Sequence, residues 1–500
     1  MRISLRYLLP LLFVGSQSFA VGPNFVLMMG DDHGWEETGY HGHPHVKTPV
    51  LDEMAATGLK LERFHSAHPS CSPTRASFLT GRHPNRMGTF DPGYSFRPEE
   101  ITIAHLMSKA GYQCGHFGKW HVGAVKKESP VSPGAMGFHE WLSHDNFFEL
   151  NPSLSRNGGP PEVHQGESSA ILVDETIRFI ADATAKGKSF MTVVWFGSPH
   201  EPYSGLPEDL ALYDDLPAKY NDKKVRLTSN ETGGPVTRPQ GDVLRERYAE
   251  ITAMDRAIGR LRRYLKEKNL AENTLVFYCG DNGTSGDAVR HSPHRGAKGQ
   301  VYDGGTLVPG IIEWPAKIKK PQTSNITACT SDLLPTLCAL TATALPDRPL
   351  DGIDLSPVLG GSLEQRPGIF AVWSFNAGRF GKTKPAPWIE PSLQEGTTPL
   401  AKRSGGKATR DFRNFKHPGL SEDDYTGARA IEHEGFKLVI HDSGKTSSKK
   451  ELFDLKKDPA EKNDISQQEA ERSQSLANKL RDWQTSVLNS LTGADYTDKK

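Results

Sequence analysis

Three short apolar runs, each followed at once by polar turn residues, limit most strongly what this chain can fold into. They span residues 24–29, 190–197 and 274–279. A continuous apolar run of this length is typical of a strand buried on both faces, as in sheets covered by helices. Helical patterns lie between the runs, at residues 168–185 and in an apolar stripe over residues 244–265. We therefore predict an α/β fold around a central sheet.

Carboxylates and an amide follow two of these runs. Asp31 and Asp32 come after the first run, and Asp281 and Asn282 come after the third. In open α/β sheets, ligands bind at the carboxyl ends of the strands. Adjacent carboxylates repel one another unless a positive group joins them, and a divalent cation is the usual partner. A solvated turn would explain either pair taken alone, so these residues establish no more than a metal-site hypothesis.

The stretch that begins at Cys71 combines a thiol, a helix start and a cation. Ser72 suits an N-cap, Pro73 suits the first turn and Gly81 suits the C-terminal end of a helix. Position 71 then lies at a helix N-terminus, where free N–H groups and the helix dipole favour an anion. Arg75, one turn further on, offers a guanidinium fork that fits sulfate or phosphate oxygens. The alternative is a small apolar cysteine packed beside a capped helix.

The same stretch resembles the signature of the formylglycine-dependent sulfatases, in which Cys-x-Pro-x-Arg precedes Leu-Thr-Gly-Arg. Here the two parts are residues 71–75 and 79–82. Five further segments resemble motifs of that family and follow the family's order: residues 31–35, 118–123, 199–202, 281–282 and 295–298. The sequence is identified as a member of this family because the motifs cover nearly the whole chain beyond residue 20.

The resemblance implies a metal, a modified cysteine and their ligands. The metal would be held by Asp31, Asp32, Asp281, Asn282 and the residue at position 71. Ca²⁺ is favoured over Zn²⁺ because no Cys or His cluster has ligand spacing, and Mg²⁺ stays open. A maturation enzyme would oxidise Cys71 to formylglycine, and the hydrate of this aldehyde would attack sulfur.

The resemblance also implies which side chains stabilise charge and move protons. Arg75, Lys119 and Lys298 would stabilise charge on the sulfate oxygens. His200 or Lys298 would protonate the departing alcohol, and His121 would take the proton that allows sulfate to leave. Two positions depart from the family's Glu-Gly-Gly-x-Arg-Val-Pro motif: Asp303 replaces Glu and Leu307 replaces Arg. We expect the replacement of that Arg by Leu307 to alter local packing more than catalysis.

The implied fold has two parts. A large alkaline-phosphatase-like domain, residues 21–365, would place a mixed sheet between helices. A C-terminal subdomain, residues 366–500, would add a small antiparallel sheet and one helix, whose apolar face contains Leu476, Leu480, Trp483, Val487 and Leu491. We assign the arginines of the 244–265 helix to its solvated face and give them no function.

Residues 1–20 resemble a secretory signal peptide. Arg2 and Arg6 precede an apolar core at residues 8–15, which is too short to span a bilayer, and residues 18–20 fit a cleavage site. We therefore expect an exported protein, periplasmic or secreted, with no membrane span. The five cysteines allow at most two disulfides if Cys71 is modified, and no pairing follows from their spacing.

A long segment without periodicity, residues 376–427, is rich in cations. Between residues 376 and 416 it contains nine Lys or Arg against three acidic residues. A solvated loop is the simplest interpretation, and the competing hypothesis is that it lines a cleft for a sulfated polymer. Because the 60 basic and 60 acidic residues of the whole chain cancel, no global field favours nucleic acid or a membrane surface.

The function that follows is hydrolysis of a sulfate ester, with a sulfated polysaccharide or oligosaccharide as the favoured substrate. One alternative is a phosphomonoesterase or phosphodiesterase of the same superfamily. Another is an inactive protein that binds sulfated glycans, which is disfavoured because every expected catalytic position is filled.

Overall fold

The computed structural model describes residues 22–229, 231–377, 385–400, 409–417, 419–443 and 447–496. The predicted signal peptide lies outside these residues, as do six of the nine cations of the 376–416 segment. Within the described ranges, no helix combines the length and apolarity that crossing a membrane requires.

The strands of the described chain are short, and most of them belong to one large sheet. In chain order they are β1 Asn24–Gly30, β2 Leu59–Leu61, β3 Phe64–His65, β4 Gln113–Lys119, β5 Glu140–His144, β6 Ser153–Arg156, β7 Pro161–Val163, β8 Phe190–Trp195, β9 Lys224–Thr228, β10 Pro235–Pro239, β11 Thr274–Gly280, β12 Gly310–Glu313, β13 Gln322–Ser324, β14 Ala328–Cys329, β15 Phe370–Trp373, β16 Arg429–His433, β17 Phe436–Ser443 and β18 Ser447–Asp454.

The helices differ more in length, and the three longest lie against the sheets. In chain order they are α1 Pro49–Thr57, α2 Cys71–Thr80, α3 Ile103–Lys109, α4 Ser168–Ala185, α5 Pro207–Ala211, α6 Gln240–Glu267, α7 Asp303–Thr306, α8 Leu333–Leu340, α9 Ser356–Leu359, α10 Pro391–Gln394 and α11 Ala470–Leu491.

The large sheet has ten strands in the order β13-β2-β12-β11-β1-β8-β4-β5-β6-β7. Its centre, from β11 to β5, is parallel, whereas β12 and β6 run antiparallel to their inner neighbours. Every residue of β1, β8 and β11 is buried. The three apolar runs are therefore central strands, and the predicted α/β fold with a mixed sheet is confirmed.

Side chains of β1 alternate between two apolar clusters, one on each face of the sheet. Phe25, Leu27 and Met29 join the cluster that contains residues of α2, α3 and α8. Val26 and Met28 join the cluster that contains residues of α1, α4 and α6. Since successive side chains of a strand point to opposite faces, the sheet lies between two helical layers.

The C-terminal residues form a second sheet with the antiparallel order β15-β16-β17-β18. Helix α11 packs on it through Leu476 and Leu480 and extends toward the large domain through Val487 and Leu491. The predicted small antiparallel sheet with one helix is confirmed. The boundary at residue 365 stays a prediction.

A buried charge network joins the second sheet to the large domain at Asp303. This fully buried carboxylate pairs with Arg63 at 3.2 Å and with Lys437 of β17 at 2.6 Å. Lys437 also pairs with Glu461 at 2.8 Å. The Asp that replaces the family's Glu therefore anchors one sheet to the other part of the chain through ion pairs.

The start of α2 differs from the prediction by two residues. The helix begins at Cys71, and Ser70, not Ser72, occupies the N-cap position. Gly81 ends the helix with a left-handed φ of 70°, as predicted. All ten residues of α2 are buried, so this helix is inserted into the core on every side. All five cysteines carry free thiols.

Candidate active site

The predicted site residues converge at one edge of the central sheet. Four adjacent parallel strands, β11, β1, β8 and β4, end there, and the chain beyond each strand carries polar side chains. These strand ends contribute Asp281 and Asn282, Asp31 and Asp32, His200, and Lys119 and His121. Helix α2 adds Cys71 and Arg75, and the loop after β11 adds Lys298. This is where open α/β sheets bind ligands.

Residue 71 lies among the predicted metal ligands. Potential ligand atoms of Asp31, Asp32, Cys71 and His200 lie within 4.8 Å of one another. The Cys71 Sγ is 4.0 Å from Asp32 Oδ1. Asp281 lies directly behind this group, because its Oδ1 accepts a hydrogen bond of 2.8 Å from the Asp32 backbone N–H. The tightest cluster therefore contains His200, which the sequence assigned to the leaving group.

Three cations lie against these carboxylates. Lys119 Nζ is 2.5 Å from Asp31 Oδ2, and Lys298 Nζ is 2.7 Å from Asp32 Oδ2. Arg75 Nη2 donates to Asp281 at 2.8 Å and lies 3.3 Å from Asp31 Oδ1. The three residues predicted to bind sulfate oxygens are thus brought together in one buried pocket.

Charge sets the protonation states of the carboxylates. Burial opposes ionisation of Asp31, but the charges of Lys119, His200 and Arg75 outweigh it and hold its pKa well below the usual range. Burial raises the pKa of Asp281 to about 7, and the neighbouring negative charge of Asp31 adds to that rise. Three carboxylates in one pocket thus remain in electrostatic conflict even with three cations beside them.

The donor set fits a hard divalent cation. The Asn282 Oδ1 and the Asp31 Oδ1 are buried oxygens that accept no hydrogen bond. Unsatisfied buried oxygens are rare because each one costs free energy. A cation bound by these two atoms, by Asp32 and by Asp281 would satisfy the oxygens and relieve the repulsion that raises the pKa of Asp281. The residues present therefore fit the metal that the sequence predicted.

The two histidines lie in different surroundings. His121 has a left-handed φ of 58°, and neither of its ring nitrogens, both buried, has a hydrogen-bond partner. Burial, reinforced by the charge of Lys119, lowers its pKa well below the usual value, so its ring is neutral and can accept a proton. Burial also lowers the pKa of His200 to about 4. Its Nδ1 lies 2.5 Å from the carbonyl oxygen of Glu201, so Nδ1 carries the proton and Nε2 faces Lys298 Nζ at 3.4 Å.

Residues 23–343 match the protein family described as Sulfatase. The chain belongs to the sulfatase family. It is a sulfuric ester hydrolase, as predicted from the motifs. Human arylsulfatase A is 33% identical over 361 residues, which are 68% of each chain. N-acetylgalactosamine-6-sulfatase of Canis lupus familiaris is 30% identical over 387 residues, 69% of this chain and 67% of the relative.

The fold of this sulfatase is shared by solved structures. The crystal structure of Ps i-CgsB in complex with k-i-k-neocarrahexaose superposes with a TM-score of 0.73 at 19% identity, over 96% of this chain and 95% of that one. Likeness at this level of identity shows a shared fold.

One buried arginine of the sulfatase was missed by the sequence interpretation. Arg247 of α6 is fully buried and donates to Glu37 at 2.6 and 2.7 Å. It also donates to the carbonyl oxygens of Asp32 and Pro199, each at 2.7 Å. The expectation of a solvated face is wrong for this residue. A signal was present, because position 247 lies three residues after Leu244, which belongs to the apolar stripe.

A second missed residue borders the pocket of the sulfatase. The Phe147 ring stacks on the His200 imidazole with a centroid distance of 5.2 Å and an interplanar angle of 12°. Phe147 follows β5, the neighbour of β4, so the sheet order brings it to the same edge. It lies in a segment that carries no motif, and only the topology reveals it.

Proposed function

We propose that this sulfatase hydrolyses sulfate esters of a carbohydrate, with a hydrated formylglycine made from Cys71 and a hard divalent cation as its cofactors. The observation that carries the proposal is the pocket around residue 71, where Asp31 and Asp32 meet Arg75, Lys119 and Lys298. An anion such as sulfate needs cations in fixed positions, and a metal needs carboxylates, so both requirements are met within a few ångströms.

The unmodified thiol is poorly suited to attack an ester. Burial raises the pKa of Cys71 to about 12, even though Lys119 and Lys298 act in the opposite direction. A thiol with such a pKa is protonated at neutral pH and is a weak nucleophile. This supports conversion of Cys71 to formylglycine by a maturation enzyme.

The divalent cation and the hydrated formylglycine would polarise the sulfate and supply the attacking oxygen. When bound, the cation polarises the sulfate, and the hydrated aldehyde provides a nucleophilic hydroxyl. Asp31, Asp32, Asp281 and Asn282 are the side chains that would hold the cation next to position 71. Ca²⁺ is the preferred ion because every donor apart from position 71 is a hard oxygen, and Mg²⁺ binds the same donor type.

The three cations would bind the sulfuryl oxygens. Arg75 and Lys119 are fully buried and held by carboxylates, so they are oriented before substrate arrives. The Lys298 side chain is 25% exposed and therefore borders the opening through which an ester enters. Such preorganised donors stabilise developing charge without reorganisation in the transition state.

Two different groups of side chains would carry out the two proton transfers. Lys298 Nζ faces His200 Nε2 at 3.4 Å, so a proton can pass between them and on to the departing alcohol oxygen. Burial opposes the charged form of Lys298, but Asp32 outweighs it and raises its pKa, so Lys298 starts protonated. His121, neutral and unpartnered, would accept the proton whose removal lets sulfate depart.

The substrate class and location rest on the sequence and on relatives. One relative is named for N-acetylgalactosamine 6-sulfate ester chemistry, and one structural neighbour is bound to a neocarrahexaose. Both names point to sugars, which supports a sulfated saccharide here. The signal-peptide-like residues 1–20 support export to the periplasm or outside the cell.

The decisive experiment compares sulfate and phosphate esters of the same alcohols, including a panel of sulfated saccharides, with released anion as the readout. Release of sulfate from saccharides is expected, and faster release of phosphate would replace the proposal by a phosphomonoesterase or phosphodiesterase. Mass spectrometry of the peptide around residue 71 is expected to show the aldehyde. An unconverted thiol with glycan binding and no turnover would indicate an inactive glycan-binding protein.

A further inference from the structure

Arg410 belongs to a C-terminal segment, residues 409–417, that packs against the loop beyond α2. The Ser95 backbone N–H donates to the Arg413 carbonyl at 2.9 Å, and the Arg413 N–H donates to the Gly93 carbonyl at 3.1 Å. These bonds fix the backbone three residues from Arg410. The position of its side chain is therefore set by the large domain, although the residue belongs to the C-terminal part of the chain.

The guanidinium of Arg410 lies over Gly93, near the start of α2. A Cβ added at Gly93 would lie only 3.2 Å from Arg410 Nη1, so glycine leaves the space that the guanidinium needs. Gly93 has a φ of 93°, a conformation that also favours glycine. Its N–H donates to Ser72 Oγ at 3.4 Å, and Ser72 is the residue next to Cys71.

Two further observations indicate that Arg410 lies near the pocket. The ring of Phe412 packs edge-on against His121 with a centroid distance of 6.2 Å. The charge of Arg410 is among the causes that lower the pKa of His121, after burial and Lys119. Burial lowers the pKa of Arg410 itself, and the side chain of Cys71 acts against that shift. Arg410 is thus within electrostatic reach of both residue 71 and His121.

Arg410 is half-buried and, unlike four buried arginines, has no counter-ion among the described residues. Those others pair with carboxylates: Arg75, Arg82, Arg247 and Arg366. Among the residues that the structure describes, no hydrogen bond or ion pair to the Arg410 side chain is found. A half-buried cation without a partner carries a desolvation cost that binding an anion would offset.

We propose that Arg410 binds a second anionic group of the substrate, a carboxylate or a further sulfate on the same or the adjoining sugar. This inference rests on the proposed function. The reacting sulfate already has three cations, Arg75, Lys119 and Lys298, each held by a carboxylate of the pocket. Arg410 approaches from the C-terminal segment and is free of such pairing, so its fork is available for another anion.

The test measures binding, which keeps it separate from turnover. The Cys71→Ala variant, which cannot cleave, is titrated with three saccharides: one with a single sulfate, its disulfated counterpart, and a monosulfated disaccharide that contains a uronate. Arg410→Gln is then added to the same background. If Arg410 makes a charge-assisted contact with the second anion, Arg410→Gln should raise the Kd of the two doubly anionic ligands by about tenfold to a hundredfold. The Kd of the singly sulfated ligand should rise much less.

Lys416→Gln is the matched control, because it removes one positive charge from the same segment. The Lys416 ammonium lies over the Trp388 ring, 5.3 Å from its centroid, and the control should leave the ratio of affinities unchanged. Comparison of the uronate with the disulfate shows which anion Arg410 prefers. The inference would be overturned if Arg410→Gln lowered the affinity for all three ligands equally or for none of them. It would also be overturned if the doubly anionic ligands did not bind. A wild-type enzyme that binds these ligands but releases no sulfate would instead contradict the proposed function.

Discussion

The guanidinium of Arg247 donates a hydrogen bond of 2.7 Å to the carbonyl oxygen of Asp32, a residue held at a left-handed φ of 61°. A non-glycine residue in that conformation is strained, so a fixed partner is needed to keep it there. The same guanidinium neutralises the buried carboxylate of Glu37. One side chain of α6 therefore supports both the fold and the orientation of a metal-site carboxylate.

Replacing Arg247 by Gln should lower both stability and activity. Glu37 would lose the charge that, against the effect of burial, keeps its pKa below the usual value, and an unpaired buried carboxylate costs about 3–5 kcal/mol. Urea denaturation measures this loss. Arg245→Gln, which removes a half-exposed arginine paired with Asp214 on the same helix, should change the free energy of unfolding by less than about 1 kcal/mol. Equal effects of the two changes would contradict the role given to Arg247.

Replacing Cys71 by Ala should abolish turnover and leave the fold intact. The change removes only the sulfur atom of a buried side chain, so the circular dichroism spectrum and the denaturation midpoint should stay close to those of the parent. Cys114→Ala is the control, since Cys114 is equally buried but lies in the apolar core and donates toward the Ala104 carbonyl. It should keep its activity at a cost of about 1 kcal/mol in stability. Sulfate release by Cys71→Ala would remove residue 71 from the chemistry.

Replacing His200 by Ala should slow the hydrolysis of esters with poor leaving groups more than the hydrolysis of esters with good leaving groups. A sugar alkoxide needs a proton as the bond breaks, whereas a nitrophenolate does not, and general acid catalysis contributes about 10²–10⁴-fold. We expect a much larger fall in kcat for a saccharide sulfate than for 4-nitrophenyl sulfate. Phe147→Leu keeps an apolar neighbour on the imidazole and should have a smaller effect on that ratio. A uniform fall for both substrates would indicate that His200 instead helps to hold the metal, because its ring nitrogen belongs to the same cluster as the ligand atoms of Asp31, Asp32 and Cys71.

Removing divalent cations should lower activity and thermal stability together. The buried Asn282 Oδ1 would again lack a partner, the Asp31 Oδ1 would keep only its ion pair with Arg75, and the carboxylates would again repel one another. At a metal concentration 100 times the Kd, the bound ion adds about 2.7 kcal/mol to stability, which a thermal melt with and without chelator resolves. Re-addition of Ca²⁺ and Mg²⁺ in separate samples identifies the preferred ion. A melting temperature that does not respond to chelation would argue against a resident metal.

Replacing Asp351 by Asn should destabilise the protein at neutral pH and much less in acid. Asp351 accepts hydrogen bonds from Arg86 Nε at 2.7 Å and from Trp483 Nε1 of α11 at 2.8 Å. Burial opposes its ionisation, but Arg86 outweighs burial, so the folded pKa lies below the usual value.

The sign of the pH effect follows from that depressed pKa. The contribution of Asp351 to the free energy of unfolding is present above its unfolded pKa of about 4 and is lost as the pH falls further toward the folded value. The difference between parent and variant should therefore be about 1–3 kcal/mol at pH 6 and should shrink below pH 4. A difference that stays constant across this range would mean that packing, not charge, sets the effect.

The central sheet and most of the pocket could be predicted from the sequence because they depend on local patterns. The apolar runs before Asp31 and Asp281 specify buried strands, and strand ends in a parallel sheet share one edge, so the two acidic segments had to meet. The helix start at Cys71 and the strand before Lys119 were likewise encoded within a few residues of each site group.

The contributions of Arg247, Phe147 and Arg410 could not be predicted in the same way. The spacing of Arg247 from Leu244 indicates that it lies beside the apolar stripe, but only the tertiary fold shows that Glu37 is its partner. Arg410 reaches the pocket because the backbone of Arg413, three residues further on, pairs with Gly93 and Ser95, more than 300 positions earlier in the chain. Contacts between residues so far apart in the chain depend on the tertiary packing of the two sheets and their helices, and local sequence periodicity does not predict them.

The complete burial of α2 limits the stage of folding at which Cys71 can be modified. In the folded molecule Cys71 is 1% exposed, and all nine residues that follow it in the helix are buried as well. The proposed maturation enzyme could not reach a side chain that is enclosed in this way by the folded protein. The proposed conversion to formylglycine would therefore have to precede closure of the fold, and a molecule that folds before conversion would stay inactive.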